Sequence, residues 1–302
     1  NSTRVGSSAA SDVYKRQIMS SDTGAQTPLG IGGKIAAADE IAPAILDAAD
    51  DEDVRAIVLR VDSPGGSPTA SEAILRAVEK AKMKGKPVIV SMGPTAASVG
   101  FWISAYADQI FVLPTTITGS IGVVGGKFSL GALFDKVGVN WDGVEWGDNS
   151  GMWSLDTPYS ETEAARINLM LDAVYDGFIE RVSKGRNMSP DAVDRIAKGR
   201  VWTGARAVDI GLADQIGGLN EALNYTAKLL DKESQSDISV VIMPAPKTPF
   251  EQFLELIGES GGVVESLKVQ AAMGKLAAPF LRDVSVMKNR SEFSVYEPLQ
   301  VR

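Results

Sequence analysis

The 302-residue chain contains no histidine and no cysteine. The first absence excludes a Ser-His-Asp triad and most zinc chemistry. The second excludes disulfides, thiol nucleophiles and thiolate metal sites, and leaves the redox compartment open. No run approaches the about 18–20 apolar residues that a membrane helix needs, and no signal-peptide pattern is present. Basic residues are outnumbered, 30 against 38, for a net charge of −8. That balance argues against nucleic acid or an anionic membrane surface as the main partner.

What is present is ample apolar content, 44%, enough for one large α/β domain or two small ones. The opening seventeen residues, NSTRVGSSAASDVYKRQ, are polar and aperiodic. They read as a cloning or sequencing remnant or a disordered lead-in. Regular text begins near Ile31. VRAIVLRV (54–61), PVIVSM (87–92) and QIFVLP (109–114) are short apolar runs rich in branched residues, as in buried parallel strands. Helical text separates them, with Thr69 and Glu72 suggesting a capping box at the first helix, and strand–helix–strand repetition predicts a parallel sheet. A second box, Ser160 with Glu163, opens a long helix whose stripe Ile167, Leu171, Val174, Phe178 and Val182 faces a core. The expected organisation is a lead-in (1–17), a catalytic domain (18–232) and a C-terminal appendage (233–302).

Three turn segments carry candidate chemistry, and all three follow strands. DSPGGS (62–67) places two glycines after a buried strand, so Gly65 and Gly66 can turn the backbone and leave N–H groups unshielded for an oxyanion. The alternative is a plain strand-to-helix turn. TAASVG (95–100) sets Ser98 between a strand and a helix, where it fits a nucleophile and an ordinary N-cap equally well. TTITGSIGVVGG (115–126) could form a polar wall on the same sheet edge. In open α/β sheets that edge, at the strands' carboxyl ends, is where ligands bind. Phe101 and Trp102 read either as core or as apolar cleft walls.

Four segments in this order, VLRVDSPGGSPTASEAI, GKPVIVSMGPTAASVGFWISAYAD, TITGSIGVVGG and GRVWTGARAVDIGLADQIGG, resemble the signal peptide peptidase A family of serine proteases. The resemblance spans about Ile31 to Leu230 and is closest to the C-terminal half of the long, two-repeat form. It implies a Clp/crotonase-like spiral of ββα units around a parallel sheet, and a Ser-Lys dyad without cofactor or metal. The family's serine falls on Ser98, followed here by Val99 where glycine is usual. The resemblance assigns the oxyanion amides to Gly65 or Gly66 and Val99, and a lysine-orienting hydroxyl to Ser120. The lysine is missing: none occurs between Lys136 and Lys184, where the short form carries it. In the long form it comes from the N-terminal repeat, which this sequence does not contain. Lys127 is the lysine nearest the third segment and reads as a surface residue. The resemblance further implies released signal peptides as substrate, a homo-oligomer, and the outer face of the bacterial inner membrane. Two alternatives stand beside it: a crotonase-like acyl-CoA enzyme, which would need a CoA site and a Glu acid/base, and a non-catalytic assembly half.

Overall fold

The computed structural model describes residues 4–7, 17–20 and 35–244, which belong to one compact unit ending at Pro244. The sequence between 245 and 302, most of the expected appendage, lies outside the described residues, as does most of the opening segment.

The elements run β1 (Arg4–Ser7), β2 (Gln17–Met19), β3 (Ile35–Ala37), α1 (Ala38–Asp50), β4 (Val54–Ser63), α2 (Pro68–Met83), β5 (Val88–Ala97) and α3 (Val99–Ser104). They continue with β6 (Gln109–Val112), β7 (Ile117–Gly119), α4 (Gly131–Val137), α5 (Glu161–Arg186), α6 (Pro190–Ile196) and β8 (Val201–Thr203). Last come α7 (Gly204–Asp209), β9 (Gln215–Ile216), α8 (Leu219–Leu229) and β10 (Ser239–Ile242). The main sheet has the order β10-β1-β4-β5-β6-β9, with β7 attached to the far end of β5 and β8 to β7. Every pairing in it is parallel except β7 with β8. The α/β class and the parallel sheet expected from the three apolar runs are therefore present.

Both faces of β4 are covered, which is why its sequence is almost continuously apolar. Ile57, Leu59 and Val61 pack with α1, α2 and α3 residues such as Ile45, Ile74 and Phe101. Val58 joins Ile89 and Phe111 under Ala222 and Ala227 of α8. Phe178 and Val182 of the predicted α5 stripe are buried, and Ser160 with Glu163 forms the predicted capping box.

One expectation needs correction. The cap of α2 is Ser67, whose Oγ accepts the Ala70 N–H at 3.3 Å, and not Thr69. Pro68 explains the shift, because its fixed φ and missing N–H suit the first helical position. Of the two readings open for Phe101 and Trp102, core or cleft wall, the core is the one present: they are 0% and 4% exposed.

One irregularity positions the site. Along β4 and β5 the register runs Val61↔Met92 and then Ser63↔Ala96, so β5 carries a bulge at Gly93–Thr95. Exposed Pro94 sits in this bulge, a place where a strand tolerates a missing N–H. The Asp62 carboxylate accepts the displaced Thr95 N–H at 3.1 Å. Beyond the bulge β5 leaves β6 and pairs with β7 instead, through Thr95↔Ile117, Ala96↔Thr118 and Ala97↔Gly119.

Candidate active site

Ser98 lies between β5 and α3 with φ +53° and ψ −125°. A non-glycine residue in that region is strained, and such strain concentrates where a side chain must be held out of regular structure. A strand-to-helix turn of this kind projects a nucleophile in other hydrolases. Ser98 makes no side-chain capping bond to α3, so the N-cap alternative finds no hydrogen bond to support it. Its residue is half-buried, and its Oγ has no hydrogen-bond partner among the described residues. Its backbone is held from both sides. The Ser98 N–H donates to the Gly119 carbonyl at 2.9 Å, while the Ser98 carbonyl accepts the N–H groups of Phe101 and Trp102 at 2.8 and 3.0 Å.

The glycine turn leaving β4 meets this serine. A Cβ placed on Gly65 would lie 3.3 Å from Ser98 Cβ and 3.5 Å from Ser98 Oγ. The two glycine amides then part company. Gly65 donates its N–H to Ser63 Oγ at 3.2 Å, and that buried hydroxyl in turn donates to the Gly65 carbonyl at 3.1 Å. Gly65 accepts the Ile18 N–H at 2.9 Å, and Ser67 donates to the Ile18 carbonyl at 2.8 Å. Successive amides of an extended chain alternate sides, so at this bridge the Gly66 N–H points away from Ile18 of β2. Neither the Gly66 N–H nor the Val99 N–H has an acceptor among the described residues. Val99 is 3% exposed with its side chain in the core, so only its backbone is offered to the site. Gly100 is required by close approach: a Cβ there would stand 2.9 Å from the Ser63 carbonyl oxygen.

Ser120 is the next residue after Gly119, as Ser98 is the next after Ala97, so the β5–β7 register brings the two serines alongside each other. Ser120 also has a positive φ, +47°, and its N–H donates to the Arg200 carbonyl at 2.7 Å. The segment expected to form a polar wall, TTITGSIGVVGG, contains β7, the strand that anchors both serines. Lys127 is not drawn to either. Its Nζ donates to the Gly151 carbonyl at 3.3 Å and stands 4.7 Å over the Tyr159 ring. Among the described residues no basic side chain hydrogen-bonds Ser98 Oγ. Ser63 escaped notice in the sequence, although a serine two residues before a glycine, across a proline, is a recognisable side-chain turn.

The family model for Peptidase family S49 matches residues 80–233, and that for Clp protease matches residues 25–118. A putative protease of Synechocystis sp. is 31% identical over 218 residues, covering 70% of this chain and 78% of that protein. The chain belongs to peptidase family S49. Its domain is Clp protease-like, with mixed α/β architecture. Protease 4 of Haemophilus influenzae is 42% identical over 210 residues, covering 67% of this chain and 33% of that protein. A putative signal peptide peptidase SppA of Enterococcus faecium is 38% identical over 179 residues, covering 59% and 52%. This member of family S49 thus spans about a third of the length of the Protease 4 relatives, at 33% and 32%. Among the described residues no helix is long and apolar enough to cross a membrane.

Proposed function

We propose that this chain carries the nucleophile half of a serine endopeptidase that degrades small apolar peptides, released signal peptides among them, through a Ser-Lys dyad. Ser98 is the nucleophile. Its hydroxyl oxygen attacks the scissile carbonyl carbon while a neutral lysine amine takes the proton. The negative oxygen that forms is met by the Gly66 and Val99 N–H groups, with Gly65 shaping the turn. Collapse breaks the C–N bond, the lysinium returns the proton to the leaving amine, and water repeats the sequence on the acyl-enzyme. Ser120 orients the lysine, which a second segment or subunit supplies.

The observation that carries this reading is the conformation of Ser98: a positive φ, no capping bond, and a glycine turn against its hydroxyl. The S49 membership supports peptide-bond hydrolysis over acyl-CoA chemistry. The Enterococcus relative's name supports signal peptides as the substrate.

Assembly into a homo-oligomer belongs to the same reading. The stretch from Val124 to Leu155 holds its large apolar side chains out of the core: Val124, Phe128, Trp141, Val144, Trp146 and Trp153 are 60–100% exposed. Large apolar side chains held in water by one stretch of chain mark an association surface. The stretch 124–156 carries five acidic residues and two lysines, which disfavours an anionic lipid surface as its cover and leaves a second copy as the occupant.

The test is cleavage of a small-residue apolar peptide by the full natural protein, wild type against Ser98→Ala. Activity is expected to fall to background with the melting temperature retained. Turnover by Ser98→Ala at the wild-type rate would overturn the assignment.

A further inference from the structure

We infer that Glu72 is a positioning residue of the active site: its carboxylate ties the helix that follows the glycine turn to the helix that follows Ser98. The inference rests on the peptidase reading above and adds to it a residue that lies away from the reacting atoms.

The geometry begins with two short chain distances. α2 starts at Pro68, two residues beyond Gly66, and Glu72 sits in its second turn. α3 starts at Val99, and Trp102 follows Ser98 by four residues, donating its backbone N–H to the Ser98 carbonyl at 3.0 Å. Each proposed oxyanion amide is therefore carried at the mouth of one of these two helices. Glu72 Oε2 accepts the Trp102 Nε1–H at 3.3 Å and joins them.

The joint is held in place from a third helix. Arg181 of α5 donates its Nε–H to the same Glu72 oxygen at 2.7 Å, and its Nη1 donates to the Gly177 carbonyl at 2.7 Å. Its guanidinium lies 4.8 Å over the Trp102 ring. Phe178, from the same helix, packs on that indole with ring centroids 4.7 Å apart. Arg76 closes the set on Glu72 Oε1 at 3.1 Å. Trp102 is 4% exposed, so its indole N–H would be left without an acceptor if Glu72 were removed. An ordinary exposed ion pair contributes little to fixing structure. This carboxylate differs because it takes donors from α2, α3 and α5 at once, one of them from a buried ring. Sub-ångström slippage between α2 and α3 would change the separation of the Gly66 and Val99 amides, on which oxyanion stabilisation depends.

The test compares the full natural protein with Glu72→Ala, Glu72→Gln and Ser98→Ala. One probe is a small-residue peptide boronic acid: the serine oxygen bonds to boron, its proton passes to solvent, and the tetrahedral adduct needs the oxyanion amides. The other is the same peptide as its carboxamide, which reads ground-state binding alone. Glu72→Ala is expected to weaken the boronate by about tenfold or more while the carboxamide stays within about twofold. Glu72→Gln, which keeps an acceptor for Trp102, is expected to recover part of the loss; this variant also covers the case in which the alanine variant does not fold. Boronate affinity equal to wild type in both Glu72 variants, with only the melting temperature lowered, would overturn the inference and reduce the residue to helix packing. Boronate binding undiminished in Ser98→Ala would instead overturn the peptidase reading, and the inference with it.

Discussion

Gly65 lies against Ser98 so closely that a single methyl group on it would come within 3.5 Å of the serine hydroxyl. The contact continues the pairing of Ser63 with Ala96, two residues earlier on each strand. The ends of two adjacent parallel strands thus place a strained serine beside a glycine turn, and the bulge at Gly93–Thr95 sets the register that makes them meet.

The two glycines are expected to fail differently. Gly65 has φ +142°, and a Cβ there presses only on Ser98; Gly66 has φ +151°, and a Cβ there would sit 2.0 Å from the Ile18 carbonyl oxygen. Gly65→Ala should fold with a modestly lowered melting temperature and lose about a hundredfold in peptide cleavage. Gly66→Ala should lose about 2–4 kcal/mol of stability by severing the bridge to β2. Thermal unfolding and peptide cleavage, measured on both variants, separate the two. A Gly66→Ala protein that melts like wild type would refute the tight approach.

Lys127 is expected to be dispensable. Its ammonium is engaged by the Gly151 carbonyl and the Tyr159 ring, and a general base must reach the proton it removes. Lys127→Met in the full natural protein should keep cleavage within about threefold of wild type. The 302-residue chain by itself should show no turnover of the same peptide, yet form a Ser98-dependent boronate adduct. Robust serine-dependent turnover by that chain alone would mean that a lysine of its own serves as base.

The turn at Ser98 was legible in the sequence because a small-residue segment between an apolar run and a helical pattern marks a strand-to-helix junction, while the residues alone left its role open between nucleophile and cap. Its surroundings were less so. Thr95, Ala96 and Ala97 have the composition of a turn, yet they extend β5, since pairing with β7 supplies what their own propensity lacks. Ile117–Gly119 is a strand for the same reason. Glu72 was read as a local cap because it stands three residues after Thr69, and only the folded chain brings Trp102 and Arg181 to it from 30 and 109 residues away. The boundary between cleft wall and core was equally a tertiary matter: Phe101 and Trp102 lie one turn beyond Ser98 but point inward.

The exposed arm is expected to hold copies of the chain together. Trp146 and Val144 are 94% and 100% exposed, so replacing them removes no core contact. Trp146→Asp with Val144→Asp should leave the melting temperature of the isolated subunit nearly unchanged. In sedimentation at micromolar concentration it should shift the protein from a multimer to a monomer. A wild-type protein that sediments as a monomer, or a double variant that still associates, would remove the arm from the interface.

Acid should loosen the Glu72 joint, and the sign follows from its surroundings. The Arg181 hydrogen bond, foremost, holds the Glu72 carboxyl below the usual carboxylate range, helped by the Arg181 charge and by Arg76 and Trp102, against the opposing effect of burial. A carboxyl that ionises more readily in the fold than in the unfolded chain contributes stability above its unfolded value, about 4.3. That contribution drains away as pH falls from there through the lower folded value. The melting-temperature difference between wild type and Glu72→Gln should therefore be constant near neutrality and shrink below about pH 4, where the wild-type residue also becomes neutral. Other carboxylates titrate in the same window, but they are common to both proteins and cancel in the difference. A difference that stays constant down to acid denaturation would show that the charge on Glu72 does not fasten the three helices.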